Sequence, residues 1–172
     1  MFKKSFVVPS TITEIGKGAF AGDSISEIIF ENNIETIPDE MFLNNKNLEK
    51  VILPNSIKQI GKRAFYRCEN LTTINFPEGL TTIGDSAFAI AFRYNSNTEI
   101  TIPRSVSTIG DYAFAHTDSA AKLYVYSNSV GKTYAHDNNI NYVQIDPDVV
   151  SVQGINSQYN AFDTVDMSNA SL

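Results

Sequence analysis

The sequence has one cysteine, no tryptophan and no long apolar run. Because Cys68 has no partner in the chain, no internal disulfide can form, and stability must come from an apolar core. No apolar stretch reaches the roughly 20 residues that a membrane-spanning helix needs. Met1–Phe6 resembles the charged start of a signal peptide, but Val7–Thr11 is too short and too polar to be the apolar region that should follow. We therefore expect no insertion into a membrane.

Positive charge is also scarce. The chain carries 13 Lys and Arg against 19 Asp and Glu, which gives a net charge of −6 over 172 residues. Every Lys and Arg lies at or before Lys132. Binding to nucleic acid without sequence preference requires basic patches that displace counterions from phosphates. The charge pattern therefore argues against nucleic acid as a partner.

The residue combinations that carry catalysis or hold cofactors are missing as well. The histidines, His116 and His136, have no Cys, Asp or Glu at the spacing of metal ligands. Cys68 has no histidine placed to activate it, and its position predicts a buried turn. No Gly-rich phosphate-binding loop is present, and the Ile-Gly pairs that recur along the chain do not form one. We therefore expect no metal, no cofactor and no enzymatic activity.

The sequence does contain a repeat of a little over twenty residues. Its mark is an Ile-Gly pair followed by Ala-Phe, and the aligned phenylalanines are spaced by 22, 23, 23 and 26 residues. They are Phe20, Phe42, Phe65, Phe88 and Phe114. Two further apolar columns keep the spacing: Ile12, Ile34, Ile57, Leu80 and Val106, and then Ile28, Val51, Ile74, Ile100 and Leu123. A fixed period of this length indicates a solenoid of stacked coils.

Each copy predicts the same local structure. In residues 71–77, apolar side chains alternate at Ile74 and Phe76, which predicts a half-buried strand ended by a proline. Gly84 predicts a tight bend, and the following Ala-Phe pair predicts a single helical turn. One such unit cannot bury its apolar side alone. The prediction is therefore a stack of coils of about 23 residues, with a parallel sheet on one face and a ladder of phenylalanines inside.

The repeat resembles the BspA-like (Treponema pallidum-type) leucine-rich repeats. The family pattern Pro-x-x-Leu-x-x-Ile-Gly-x-x-Ala-Phe-x-x-Cys-x-x-Leu-x-x-Ile-x-Phe-Pro is met almost whole from Pro54 to Pro77. The resemblance covers about residues 3–126, and it departs at the Cys column, which keeps only Cys68. It implies a β-rich leucine-rich-repeat solenoid. It also implies a surface protein of the adhesin or host-interaction kind.

The pattern divides the chain into three segments. Residues 1–126 hold an N-terminal strand and five repeats, and residues 127–146 predict a C-terminal cap. Residues 147–172 lack the repeat and predict a linker or the start of an immunoglobulin-like module. We expect a monomeric fragment of a longer precursor that is extracellular or located at the cell surface.

The outward side of the predicted sheet is the candidate binding surface. One outward column begins with three β-branched apolar residues, and contiguous apolar groups on a sheet often mark a contact site. Such residues also simply favour strands. The column is Val7, Ile29, Ile52, Asn75, Thr101 and Tyr124, and the neighbouring column is Ser5, Glu27, Lys50, Thr73, Glu99 and Lys122. We expect this face to bind a protein or a glycan; the alternative is a structural spacer with no ligand of its own.

An insertion in the fourth copy is the reserve candidate. Three extra residues within residues 89–96 are expected to bulge on the side opposite the strands. The segment carries Phe92, Arg93 and Tyr94. Aromatic and arginine side chains are frequent at binding hot spots. We expect this loop to be the contact site if the sheet face does not bind.

Overall fold

The computed structural model describes residues 4–31, 33–94, 98–117 and 121–145, and the backbone of residues 149–151 and 164–166. The chain is a parallel β-solenoid of about six turns with coils of about 23 residues, which confirms the predicted fold class. In chain order its elements are β1 Ser5–Val8, β2 Glu27–Phe30, β3 Thr36–Ile37, β4 Lys50–Ile52, β5 Gln59–Ile60, β6 Thr73–Ile74, β7 Thr82–Ile83, β8 Glu99–Thr101, β9 Thr108–Ile109, β10 Lys122–Val125, α1 Val130–Asp137, β11 Tyr142–Gln144, β12 Val149–Ser151 and β13 Thr164–Asp166.

Successive coils place their main strands side by side in parallel. Strands β1, β2, β4 and β6 form one sheet, and β8, β10 and β11 form another. The register keeps the repeat columns aligned, because Ile28 pairs with Phe6 on one side and with Val51 on the other. Side chains alternate across a strand, so this column points to the same face in each coil. Ile28 and Val51 are fully buried, which shows that this face is the core side.

Each coil from the second to the fifth also contributes a second, shorter strand that the sequence pattern did not predict. Strands β3, β5, β7 and β9 form their own four-stranded parallel sheet. Their inward residue is the Ile of the Ile-Gly pair or its equivalent, and Ile37, Ile60 and Ile83 pair in sequence from coil to coil. The N–H of Gly84 extends the pairing by donating to the carbonyl of Ile60 at 2.8 Å. Two rows of stacked strands and a row of turns therefore enclose the core.

The Ala-Phe segments form overlapping β-turns instead of the predicted helical turn. In the second coil, the N–H of Leu43 donates to the carbonyl of Glu40, and the N–H of Asn45 donates to the carbonyl of Phe42, both at 3.0 Å. Glu40 and Asn44 adopt positive φ angles of 59° and 60°. This geometry turns alternate N–H groups out of the coil, where no residue of the same turn can accept them.

These N–H groups donate to carbonyls of the next coil. Phe42 N–H donates to Ala64 O at 2.8 Å, and the donors on either side of Phe42 reach their own acceptors at 2.9 Å. We call these rows of bonds the turn ladder. Its donors are Gly18, Phe20 and Gly22, then Glu40, Phe42 and Asn44, then Arg63, Phe65 and Arg67, then Ser86, Phe88 and Ile90. Stacking thus satisfies backbone groups that a helical turn would have satisfied locally.

The repeated glycines allow neighbouring coils to approach closely. A Cβ atom on Gly84 would lie 2.8 Å from the carbonyl carbon of Gly61 and 2.8 Å from the backbone nitrogen of Lys62. Gly61 and Gly110 are equally tight, with the nearest backbone atoms at 2.6 Å and 2.5 Å. None of these three glycines has a positive φ angle. Their role is therefore close packing between coils and not the predicted bend.

The aligned phenylalanines form the predicted stack. Neighbouring ring centroids lie 5.1 Å apart for Phe42 and Phe65, 4.9 Å for Phe65 and Phe88, and 5.2 Å for Phe88 and Phe114. These four side chains are at most 1% exposed. Phe20 stacks on Phe42 at 5.6 Å but is only half-buried. The rings are fully buried where a neighbour covers both sides.

The N-terminal end of the core is only partly covered. Phe6 and Ile12 belong to inward columns, yet each is 39% exposed, whereas Ile28 and Ile34 are buried at the same positions one coil later. A Cβ atom on Gly16 would have no neighbour within 4 Å. Among the described residues, the first coil therefore packs against another coil on one side only.

A short helix covers the other end. Helix α1 begins after Ser129, whose hydroxyl accepts the N–H of Lys132 at 3.1 Å as an N-cap. Ala135 is buried, and the hydroxyl of Tyr134 accepts the N–H of Phe114 at 3.2 Å. Strand β11 then pairs with β10 and extends the sheet by one strand. Helix and strand together cover the last coil.

The tail is described in two strands only. Strands β12 and β13 pair antiparallel, and the remainder of residues 146–172 lies outside the described residues. The division into residues 1–126, 127–146 and 147–172 stays a prediction, as does the choice between a linker and an immunoglobulin-like module.

Candidate functional site

Three apolar side chains form a row on the outward face of the first sheet. The register places Val7 opposite Ile29 and Ile29 opposite Ile52, on three adjacent strands. Val7 is 44% exposed, and the two isoleucines are half-buried by their neighbours on the face. The residues beside them, such as Ile28, point inward and are fully buried. We call Val7, Ile29 and Ile52 the apolar strip.

Polar side chains line one side of the apolar strip. Glu27 lies between Ser5 and Lys50 in the register, and Lys50 Nζ is 2.7 Å from Glu27 Oε1. The Ser5 hydroxyl lies 3.5 Å from Glu27 Oε2. Because both charged side chains are partly exposed, the pair contributes little to stability. The opposite charges of the pair leave this side of the strip without net charge.

Asn75 continues the outward column but has a structural task. Its Oδ1 accepts the N–H of Leu53 at 2.7 Å, and its Nδ2 donates to the carbonyl of Leu53 at 2.9 Å. The amide thus stands in for a backbone partner beyond the end of β6, which stops at Ile74. Replacing Asn75 would therefore disturb the sheet as well as any contact on its face.

The far end of the outward column is polar and aromatic. Thr101 pairs with Tyr124 in the register, and the Tyr124 hydroxyl donates to Glu99 Oε1 at 2.7 Å. This hydrogen bond to a carboxylate raises the pKa of Tyr124. Strand β11 adds Val143 beside Tyr124, with 36% of its side chain exposed. The sequence pattern missed Val143 because β11 lies outside the repeat.

The reserve contact site is wrong at Phe92, one of its two aromatic residues. Phe92 is fully buried, and its ring stacks on Phe88 with centroids 5.7 Å apart. The inserted residues therefore add an aromatic ring to the core instead of displaying it. Arg93 and Tyr94 follow with N–H groups that both donate to the carbonyl of Glu69, at 2.9 Å and 3.3 Å. Tyr94 is 67% exposed and is the remaining aromatic of this segment on the surface.

Among the described residues, no group of three or more His, Cys, Asp or Glu side chains is arranged to hold a metal ion. No helix in the described ranges is both long and apolar enough to cross a membrane.

The single thiol lies in the core, as the sequence predicts. Cys68 is fully buried, and its Sγ donates to the carbonyl of Phe42 at 3.2 Å. Burial raises the pKa of the Cys68 thiol. Because the thiolate is the reactive form, such a thiol is a poor nucleophile at neutral pH.

We expect Cys68 to react with Ellman's reagent only when the chain unfolds. In native buffer the colour should develop no faster than global unfolding allows, since reagent and thiolate cannot meet while the core is closed. The same chain in guanidinium chloride should react at once and completely. Rapid reaction of the native chain would show that the core opens locally at Cys68.

The fold and its repeat pattern match a known family. Residues 3–90 and 89–169 match the BspA type leucine rich repeat region, in six copies. The chain belongs to the BspA-type leucine-rich repeat family. A leucine-rich repeat protein of Treponema pallidum superposes with a TM-score of 0.63 at 26% identity, over 71% of this chain and 58% of its own. A leucine-rich repeat protein of Bacteroides ovatus superposes with a TM-score of 0.63 at 31% identity, over 76% of this chain and 34% of its own.

The family has a general role. It generally supplies protein-interaction and surface modules, and the solenoid is generally a non-catalytic fold. The chain matches 58% and 34% of the length of the two structural relatives. No curated protein matches the chain.

Proposed function

We propose that this chain is a non-catalytic binding module, extracellular or at the cell surface, that takes a partner on the outward face of its first sheet. The observation that carries the proposal is the apolar strip of Val7, Ile29 and Ile52. Family membership supports a surface location, because members are typically associated with the bacterial surface. The chain is proposed to act as a monomer within a longer surface protein.

The geometry of the strip suits a rigid contact. Adjacent parallel strands lie about 4.8 Å apart, so three neighbouring strands present Val7, Ile29 and Ile52 in one continuous line. Each of these strands is paired within the sheet, and β-branched side chains have few rotamers to lose on binding. Little conformational entropy is therefore lost when a partner covers the strip. The neutral Glu27–Lys50 pair beside it supplies a polar rim.

A protein partner fits the strip better than a glycan. The three side chains carry no hydrogen-bond donor or acceptor, and sugar hydroxyls buried against them would lose their bonds to water. An apolar patch of a protein would gain from the same burial. The alternative is a spacer, in which these residues serve only as strand formers and bind nothing.

A double substitution separates the two functions. The wild-type chain, immobilised, is first used to capture and identify an extracellular protein from host or culture fluid, and the affinity of the purified partner is then measured. Ile29→Lys together with Ile52→Lys should weaken that affinity at least about tenfold, because two charges would be buried against an apolar surface. Folding should be retained, since neither side chain points into the core.

The matched control introduces two lysines on the sheet of β3, β5, β7 and β9. Gln59→Lys with Thr82→Lys changes charge by the same amount at outward positions of β5 and β7, and its affinity should equal that of the wild type. Equal affinity of both double variants would remove the strip from the contact. Failure of the folded wild-type chain to bind any partner would leave the spacer as the function.

A further inference from the structure

The turn ladder ends at the N–H groups of the fifth coil. In each of the first four coils, three alternate N–H groups donate to carbonyls of the following coil. The corresponding groups of the fifth coil belong to Tyr112, Phe114 and His116, and Tyr112 and His116 have the same positive φ angles, 60° and 57°, as their counterparts. The fifth coil thus presents the same three donors, and no further Ala-Phe turn among the described residues is stacked on them.

The cap satisfies the middle donor. The N–H of Phe114 donates to the hydroxyl of Tyr134 at 3.2 Å. Among the described residues, none accepts a hydrogen bond from the N–H of Tyr112 or of His116. By the alternation of the ladder, both groups point toward the end of the stack, on either side of Tyr134.

A pocket of about 470 Å³ lies where the missing turn would stack. It is formed between the fifth coil and the cap. The described residues that line it are Tyr112, Phe114, Ala115, His116, Thr117, Ala121, Tyr134, Asn138, Asn139, Ile140 and Asn141. A volume of this size lies within the range of small-ligand sites, and it suits one or two sugar rings.

The described part of the lining is polar, aromatic or small and aliphatic. None of the described lining residues is Lys, Arg, Asp or Glu. Phosphate, sulfate and carboxylate ligands therefore find no Lys or Arg among the described lining residues. The side chain of Tyr112 is 69% exposed and offers an open ring face, while the exposed Asn139 offers an amide that can both donate and accept.

We propose that this pocket binds a neutral carbohydrate. One sugar face would pack its C–H groups on the Tyr112 ring, and sugar oxygens would accept from the free N–H groups of Tyr112 and His116. The Asn139 amide would pair with a further hydroxyl. The site is separate from the apolar strip and takes a different class of ligand.

An extended peptide fits the same donors less well. A peptide that continued the ladder would bring three alternate carbonyls, spaced as in the preceding coils. Tyr134 already occupies the middle position through its bond to Phe114. A ring with hydroxyls on its edges can reach the two outer donors without displacing Tyr134.

The test is an array of immobilised neutral, sialylated and sulfated oligosaccharides, probed with the whole chain. The wild type should bind neutral members. Tyr112→Ser, which copies the residue of the preceding coil at the same position, Ser86, should lower binding about tenfold or more. Asn139→Gly removes the amide but keeps the positive φ of 54°, and it should lower binding as well. Tyr94→Ser removes an equally exposed tyrosine elsewhere and should bind as the wild type does.

A second measurement uses the wild-type chain alone. Titration with the best soluble neutral oligosaccharide, followed by amide NMR, should shift the Tyr112 and His116 N–H signals and leave those of β1, β2 and β4 in place. The proposal is overturned by the absence of neutral binders, by binding limited to charged glycans, by full binding of Tyr112→Ser and Asn139→Gly, or by shifts confined to the sheet. Since the sheet-face experiment involves other residues, either proposal can fail alone.

Discussion

Replacing Phe65 by alanine is expected to lower the free energy of unfolding by about 3–5 kcal/mol, the usual cost of emptying a buried aromatic site. Phe65 is fully buried at the centre of the stack, with Phe42 and Phe88 at centroid distances of 5.1 Å and 4.9 Å. Both neighbouring rings would face a cavity, and the backbone around them is held by the turn ladder and cannot collapse freely. The total free energy of unfolding of a domain is only about 5–15 kcal/mol, so this loss would be severe.

Denaturant titration followed by circular dichroism measures this loss. Phe20→Ala is the matched control, because Phe20 occupies the same column but is half-buried and stacks on one ring of the column only. It should lose clearly less stability than Phe65→Ala. An unfolding curve of Phe65→Ala that matched the wild type would contradict a core built on stacked phenylalanines.

The second large effect is expected at Gly84. Gly84→Ala should lower the free energy of unfolding by about 1–3 kcal/mol, as overpacking of a close contact does. The new Cβ would lie 2.8 Å from two backbone atoms of the preceding coil, the carbonyl carbon of Gly61 and the nitrogen of Lys62. These atoms cannot move aside easily, because the N–H groups of Gly61 and Lys62 are hydrogen-bonded to the coil before them. Separating the coils would stretch the bond from Gly84 N–H to Ile60 O.

Gly16 provides the control within the same repeat column. A Cβ there would meet nothing within 4 Å, and Gly16 does not have a positive φ angle. Gly16→Ala should therefore be neutral, or stabilising by up to about 1 kcal/mol through the unfolded chain. Equal destabilisation of the two variants in thermal and denaturant unfolding would show that the column needs glycine for its backbone conformation and not for close packing.

The fold could be predicted where the pattern is long and regular. The columns of Ile28 and Phe42 each recur in five coils, which determines the period, the parallel register and the inward faces together. The sheet of β3, β5, β7 and β9 could not be predicted from the sequence. Its strands, such as Thr82–Ile83, have only two residues each, which is too short to show the alternation of a strand. The turn ladder was also hidden, since its bonds join coils and leave no local signature comparable to a helix period.

For the candidate sites too, the regular part was predictable from the sequence and the irregular part was not. The apolar strip follows from the strand register, so the row of Val7, Ile29 and Ile52 was predictable. The burial of Phe92 was not, because an insertion has no counterpart in the other coils to show which way it points. The pocket between the fifth coil and the cap was not predictable either. Only the three-dimensional arrangement shows which donors of the turn ladder have no acceptor in a following coil.

The partly covered first coil makes the strip a place where binding and local stability are linked. Within the described residues the first coil has a neighbouring coil on one side only, and a repeat unit with one interface opens more easily than a unit with two. Strand β1 belongs to that unit, with Phe6 and Ile12 still 39% exposed, and it carries Val7 of the strip. A partner that spans Val7, Ile29 and Ile52 would bind only while β1 is docked on β2. Such a partner would stabilise the docked first coil by mass action and slow the hydrogen exchange of its amide groups. The fraction of chains with a bound partner would then determine how often the first coil opens.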